Sequence, residues 1–316
     1  LLEAKINLES ILMIKNIEIL KGGTSSEFEI SNKSALYVKT ALVSKGYNVI
    51  DVNVNKRFLS WAIKNKNKID VFFNALHGAW GEDGKIQGVL EFLRVPYTHS
   101  GVTASSVGMH KDLSKKIFKN AGIKVPNGRV LTSKVILEKD PYQRPYIIKP
   151  VSEGSSFGVY LIEKNTSVKK VLNKMKENLF LVEKYIKGTD VTVALMNGNV
   201  LGLLEIIPQE RLFNYSAKYR SKNTVYRYPN KIKPNVIKKI IKYAKIANKE
   251  LLCSSITRVD FRVDHEKSDQ GVYVLELNTQ PGLTKNSLVP KIAEQSGVSF
   301  ENLIESIVKD AKFNKI

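Results

Sequence analysis

The chain is almost without cysteine: Cys253 is alone among 316 residues. That excludes a disulfide framework and fits a reducing cytoplasm. No apolar run is long enough to cross a bilayer. Residues 1–20 are not a secretory signal, because Glu3, Lys5, Glu9, Lys15 and Glu18 interrupt any apolar core. Met13 opens a segment that reads directly into the first expected strand, so residues 1–12 read as an upstream extension. Acidic residues are few beside basic ones, 30 against 50, and the formal net charge is +20. Such an excess can mark a nucleic-acid partner. Here the lysines are spread over expected helix faces (64–68, 169–176, 231–249), often beside asparagine, with no basic-aromatic stacking motif and no zinc-finger spacing. The expectation is no nucleic-acid and no membrane partner. No Gly-Lys-Ser/Thr opens a helix, so there is no Walker loop, and no internal repeat is visible. The length suggests two or three domains. A 43% hydrophobic and 25% charged composition is that of a soluble globular protein.

What is present is concentrated between Thr257 and Leu288. Thr257 to Arg262 and Val272 to Asn278 alternate apolar and polar residues around a polar turn from Asp264 to Gly271, the pattern of a half-buried hairpin. Side chains two apart on a strand share a face, so Glu276 and Asn278 point one way, and Arg258 and Asp260 do likewise on the neighbouring strand. One face can therefore carry Asp260, Glu276 and Asn278. Three oxygen donors with no Cys or His nearby suit Mg²⁺ held together with phosphates. The plainer reading is a solvated sheet face, which the apolar flanks Val274, Leu275 and Leu277 disfavour.

Towards the N-terminus, strands are expected over 14–20, 47–54 and 70–76. They alternate with helices from about Asn32, capped by Ser31, and from Phe58 to Lys66, and with a third ending near Leu93. This is the signature of a parallel α/β sheet, in which ligands bind beyond the carboxyl ends of the strands. Gly22-Gly23 and the run His77-Gly78-Ala79-Trp80-Gly81-Glu82-Asp83-Gly84 lie there. Gly22 and Gly23 allow a tight turn whose N–H groups face a ligand. Glu27, His77 and Glu82 could meet at one cleft, or could be no more than turn and helix-start residues. Pro96 to Thr103 reads as a crossing into a second domain. Helices are expected over 105–109 and 111–121, and a strand over 145–150 carries Lys149. Val151 to Val159 is then a flexible lid able to close on phosphates. A strand at 180–185 is followed by a hairpin from Asp190 to Ile207 turning at Asn197-Gly198-Asn199. A long aromatic-rich loop occupies 208–230. Helices from Pro234 to Leu252, from Pro290 and from Ser299 complete the chain.

Seven segments in this order resemble the D-alanine–D-alanine ligases of the ATP-grasp superfamily. They are Gly22-Gly23-Thr24-Ser25-Ser26-Glu27; Asn74-Ala75-Leu76-His77-Gly78 with Gly81-Glu82-Asp83-Gly84; Pro96-Tyr97-Thr98-His99-Ser100-Gly101; Lys149-Pro150 with Glu153-Gly154-Ser155-Ser156-Phe157-Gly158; Ala217-Lys218-Tyr219; Arg258-Val259-Asp260-Phe261; and Glu276 to Thr284 with Ser287-Leu288-Val289-Pro290. They cover nearly the whole chain from Met13 onward.

The resemblance implies an α/β chain, α+β in its ATP-binding part, with the ATP-grasp fold. An N-terminal parallel α/β substrate domain would span 1–100, a central ATP-grasp subdomain 101–186, and a C-terminal subdomain with the metal site and substrate loop 187–316. It implies that the carboxylate of one D-alanine attacks the ATP γ-phosphate, and that the amine of a second displaces phosphate from the acyl phosphate, for peptidoglycan precursor synthesis. Asp260, Glu276 and Asn278 would hold two Mg²⁺, for which Mn²⁺ can substitute. Lys111 and Lys149 would neutralise phosphates, with Glu153, Lys218 and the Ser155–Ser156 lid beside them. Glu183, Lys184 and Ile186 would line the adenine pocket, mainly by backbone groups, and Asp190 would take the ribose. Glu27 would accept the first D-alanine ammonium, with His77 nearby. Arg258 and the Gly282 N–H would stabilise the tetrahedral oxyanion, and Ser287 and Leu288 would bind the second carboxylate. Tyr219 would hydrogen-bond toward Ser155 and Glu27 and favour an amine nucleophile. Part of the positive charge would serve ATP and carboxylates. A homodimer in the cytoplasm is the implied state. His110 for Asp, Asp190 for Glu, Ser255 for Gly and Asn214 for Asp depart from the family pattern; none removes a proposed catalytic group. A D-alanyl–D-serine or depsipeptide ligase on the same scaffold, and a non-catalytic nucleotide- or nucleic-acid-binding protein, are the competing readings. The retained Asp260, Glu276, Asn278 and Arg258 argue against the last.

Overall fold

Residues 14–208 and 223–315 are described by the structure, a computed structural model. Their strands form three sheets. The first is parallel, in the order β2–β1–β3, from β1 (Asn16–Gly22), β2 (Asn48–Val54) and β3 (Val71–Asn74). β1 and β3 are buried over most of their length, as strands covered on both faces must be. The helix Phe28–Ser44 packs Ala35, Val38 and Leu42 against one face, and Lys85–Leu93 contributes Ile86, Leu90 and Leu93 on the other. The expected α/β start of the chain is present.

The second sheet is antiparallel, in the order β4–β7–β5–β6, from β4 (Gly128–Thr132), β5 (Tyr146–Pro150), β6 (Tyr160–Ile162) and β7 (Leu179–Lys184). The third is also antiparallel, in the order β10–β9–β8–β11–β12, from β8 (Thr189–Met196), β9 (Asn199–Ile207), β10 (Val225–Arg227), β11 (Ile256–Val263) and β12 (Val272–Asn278). The helix Pro234–Glu250 covers the third sheet with Val236, Ile240 and Ala244. β8 and β9 turn at Asn197 and Gly198, both with positive φ (49° and 75°), the backbone an Asn-Gly hairpin turn demands.

Several local expectations are corrected. Ser31 does not cap a helix: the helix begins at Phe28, and the Ser31 hydroxyl is buried inside it, donating to the Ala75 carbonyl (2.8 Å) and accepting the Gly22 N–H (2.9 Å). The Gly22 N–H is thereby spent on the protein and does not face a ligand. The helix expected from Pro290 begins at Leu288 (Leu288–Gln295). The polar turn expected from Asp264 to Gly271 is present and takes the form of 3-10 turns over His265–Gly271. The strand β10 lies within the stretch read as a long loop. β4 and the helices Ser133–Glu138 and Val168–Leu172, too short for a periodic signal, were not anticipated.

Candidate active site

The register of β11 on β12 sets the centre of the site. Arg258 lies opposite Asn278 and Asp260 opposite Glu276, so all four share the face expected from the alternation. A bulge between Asp260 and Phe261 follows at once. Two carboxylates directly opposite on adjacent strands repel unless compensated. Arg258 grips Asp260 from the side, Nε to Oδ1 at 2.9 Å and Nη2 to Oδ2 at 2.8 Å, and Thr192 donates to Oδ1 at 2.7 Å. Lys111 Nζ approaches Glu276 Oε2 at 3.9 Å and donates to the Glu153 carbonyl at 2.5 Å.

Glu276 stands on the wall between two cavities. The first, about 950 Å³, is lined by Glu27, His77, Glu82, Lys111, Glu153, Ser155, Arg258, Asn278, Gly282, Ser287 and Leu288. The second, about 830 Å³, lies between the two antiparallel sheets and is lined by Lys149, Ser156, Glu183, Lys184, Ile186, Asp190 and Asp260. The structure thus brings together every proposed site residue within the described regions. Lys218 and Tyr219, with Ala217 and Asn214, lie outside the described residues.

In the first cavity Glu27, just ahead of the helix Phe28–Ser44, meets His77 and Glu82 from the loop after β3, and ligand atoms of the three lie within 4.8 Å of one another. His77 Nδ1 bonds Glu82 Oε1 (2.9 Å) and its Nε2 bonds the Ser34 hydroxyl (3.0 Å). Ser155, at the tip of the glycine-serine loop, donates its hydroxyl to Glu27 Oε2. Glu27 Oε1 is buried with no hydrogen-bond partner among the described residues. Burial raises the Glu27 pKa to about 7; the Glu82 charge adds to this, and His77 and Ser155 offset it only in part. In His77, burial pulls the pKa down, but the bond to Glu82 and the charges of Glu82 and Glu27 outweigh it and the net shift is upward. An orphaned buried carboxylate oxygen is expensive and suits an incoming cation. A Cβ on Gly154 would sit 2.3 Å from that oxygen, so any side chain there would require the Glu27 carboxylate to shift. At the far end of the cavity Ser287 precedes the helix Leu288–Gln295, a start suited to a carboxylate. Ser287 Oγ accepts the Thr284 N–H at 3.1 Å.

The second cavity is organised by a buried ion cluster. Glu183 on β7 takes Lys149 Nζ on Oε2 (2.6 Å) and Lys115 Nζ on Oε1. Burial would raise the Glu183 pKa, but the two ammonium groups win and hold it below the carboxylate range. Burial opposes the charge of Lys149 too, yet Glu183 and Glu276 raise its pKa; in Lys115 burial prevails and brings it down to about 7. Deeper in, Asp190 pairs with Arg262 Nη1 (2.9 Å), whose Nε donates to the Ile186 carbonyl (3.0 Å).

Two of the departures from the family pattern, His110 and Ser255, have local explanations. His110 Nδ1 accepts the Leu113 N–H (3.3 Å), the capping bond an aspartate would make. Ser255 sits at φ 59°, where glycine is unstrained, and Asn197 Oδ1 accepts its N–H at 2.9 Å. Residues not assigned from sequence are Lys115, Arg262 and Tyr226, the last lining the first cavity. Lys115 carried a signal, since it follows Lys111 by one helical turn on the same face; Tyr226 and Arg262 carried none. Glu82, read only as a cleft residue, proves to be the partner of His77.

Comparisons with known proteins agree with this geometry. The family models described as D-ala D-ala ligase N-terminus and C-terminus match residues 57–100 and 117–309. A D-alanine--D-alanine ligase of Chelativorans sp. is 42% identical over 303 residues, covering 94% of this chain and 98% of its own. One from Pelagibacter ubique is 41% identical over 315 residues, covering 96% and 100%. The crystal structure of a Bacillus anthracis D-alanine--D-alanine ligase complexed with ATP superposes with a TM-score of 0.78 at 29% identity, covering 94% of this chain and 97% of that one. A D-Ala:D-Ser ligase from Enterococcus faecalis superposes at 0.74 with 26% identity, over 94% and 99%. The cavities, the ordered motifs and these likenesses agree: the chain belongs to the D-alanine–D-alanine ligase family, with the ATP-grasp fold.

Proposed function

We propose that this protein joins two D-alanines into D-alanyl-D-alanine with cleavage of ATP to ADP and phosphate, for peptidoglycan precursor synthesis. The observation that carries the reading is the pair of cavities sharing Glu276, one built for a polyphosphate nucleotide and the other for an ammonium and a carboxylate. Glu27 accepts the first D-alanine ammonium on its unpartnered Oε1, with His77 and Glu82 fixing the carboxylate's surroundings. That leaves the substrate carboxylate directed to the γ-phosphate near Lys111. Its oxygen takes the phosphoryl group, ADP leaves, and an acyl phosphate remains. The second D-alanine, its carboxylate at Ser287 and Leu288, attacks with its amine; phosphate departs and the amine loses a proton. Arg258 and the Gly282 N–H face the oxyanion that forms between these steps. Holding reactants in line and neutralising charge supply most of what phosphoryl transfer needs.

Asp260, Glu276 and Asn278 would hold Mg²⁺, or Mn²⁺ in its place. The fit rests on two facing carboxylates and an amide oxygen, with no sulfur or imidazole donor, at the junction of the cavities. Bound there, the metal would neutralise charge developing on the phosphates. Lys149 with Ser156 would hold phosphates, the backbone of Glu183, Lys184 and Ile186 the adenine, and Asp190 the ribose. Lys218 and Tyr219 keep the lid and substrate roles the resemblance implies. The three sheets support a division at 1–100, 101–186 and 187–316. Cytoplasmic location and a homodimer complete the proposal. Phosphate release on mixing protein, ATP, Mg²⁺ and D-alanine, with the dipeptide mass in the product, is the expected result. No D-alanine-dependent phosphate would defeat it.

A further inference from the structure

Behind the wall of the nucleotide cavity lies one more charged side chain than the wall itself presents. Lys149 and Glu183 line it, but Lys115 does not. Lys115 lies behind them on the helix Lys111–Asn120, buried at 5% relative exposure, with its ammonium on Glu183 Oε1. Burying a lysine is costly, and a buried ion pair is often no more stabilising than well-packed apolar side chains. Stability alone is therefore a weak reason for the group. Glu183 and Lys149 by themselves would form a neutral pair, with both carboxylate oxygens free to grip one ammonium. Protonated, Lys115 occupies one oxygen and brings these three groups to a net charge of +1. The same helix delivers Lys111, one turn earlier, to Glu153 and Glu276, so a single rigid element carries both lysines.

We propose that Lys115 is a positioning residue for ATP: by occupying Glu183 Oε1 it confines Lys149 to the other carboxylate oxygen and offsets the Glu183 charge, and so leaves a net positive charge beside the polyphosphate. It touches neither base nor phosphate and acts through Glu183. The role rests on the ligase function proposed above and adds to it a residue outside both cavities.

Its signature is dependence on phosphate rather than on adenine. Equilibrium binding of ATP, ADP and adenosine would be measured on the full-length protein with Mg²⁺, on the acid side of the Lys115 pKa. Lys115→Met removes the charge and keeps an apolar stem; Lys115→Gln also removes the charge but keeps a donor for Glu183. Both variants should weaken ATP about tenfold, with adenosine almost unchanged, because the lost term is Coulombic. In turnover, KM for ATP should rise while KM for D-alanine stays. Combining Lys115→Met with Glu183→Gln restores a cluster charge of +1 and should return the ATP-to-adenosine affinity ratio to within about threefold of wild type. ATP and adenosine weakened together, or a double variant no better than Lys115→Met, would show a merely structural lysine and overturn the role. Wild-type protein that binds no ATP would overturn the ligase function instead, and this role with it.

Discussion

The two cavities handle buried charge in opposite ways. Around Glu27, two carboxylates and an imidazole crowd together, one oxygen has no partner among the described residues, and the Glu27 pKa is pushed up to about 7. Around Glu183 every carboxylate oxygen is claimed by a lysine, and the carboxyl stays ionised. On the function proposed above, the ammonium of the first D-alanine would supply the cation that the first region's unpartnered oxygen can accept. The second is already saturated and presents a surplus positive charge to an anion. Selectivity here is written in which buried groups are left short of partners, since an unmet buried group discriminates more sharply than added contact area does.

The most severe test strikes the wall where the cavities meet. Glu276→Gln and Asn278→Ala should each reduce turnover by at least ~10³-fold, since charge stabilisation of this kind is the largest catalytic term, while circular dichroism stays native. Near-normal rates for both at low Mg²⁺ would show that the two cavities do not share a metal face.

Next is the unpaired side. Glu27→Gln should lower kcat/KM for the first D-alanine about 10²-fold, the worth of a charge-assisted contact. The same substitution should change stability in a definite direction. The folded pKa of about 7 exceeds the reference 4.5, so the folded state binds more protons between those values and stability falls as pH rises across that window. Thermal melts of the Gln variant should lose that decline, and its Tm should exceed wild type at pH ~8. A wild-type profile already flat across the window would remove the contrast between the cavities.

A smaller effect concerns the choice of nucleophile. Tyr219→Phe should shift the product ratio from dipeptide towards depsipeptide by several-fold, most at lower pH where the amine is protonated. Competition between D-alanine and D-lactate, read by product mass, measures it. A wild-type preference for D-lactate would sink the assignment.

The smallest prediction uses Glu18, outside both cavities, as a control for burial alone. It is 5% exposed, its Oε2 has no partner among the described residues, and burial, aided by Asp70, raises its pKa to about 7. Glu18→Gln should raise Tm by a few degrees at pH ~8, with a gain that vanishes as pH falls below the unfolded value, and should leave kcat untouched. Changed turnover would mean that the β1 carboxylate communicates with the site.

Much of this was legible in the chain because strand alternation is a strict rule. Arg258, Asp260, Glu276 and Asn278 could be set on one face from spacing alone, and the register agrees. The glycine-rich loops could be read in the same way, because turns have few chemical solutions. What escaped depended on partners far away in sequence. Ser31 has the composition of a cap, yet its hydroxyl is taken by β1 and by the chain after β3, and tertiary bonds outweighed the local rule. Lys115 looked like one more lysine on a basic helix, and only the arrival of Glu183 from β7 gives it a task. Tyr226 sits on a three-residue strand that no periodicity can announce.

The contact of Gly154 with Glu27 has a consequence for inheritance. The glycine-serine loop and the corner after β1 are separate in sequence but in close contact, since a methyl group at 154 would require the Glu27 carboxylate to move. Chimeras that exchange the lid between relatives while keeping this corner, or the reverse, should work only when both halves come from parents that already share the pairing. The two segments are therefore expected to travel through the family as one unit of exchange.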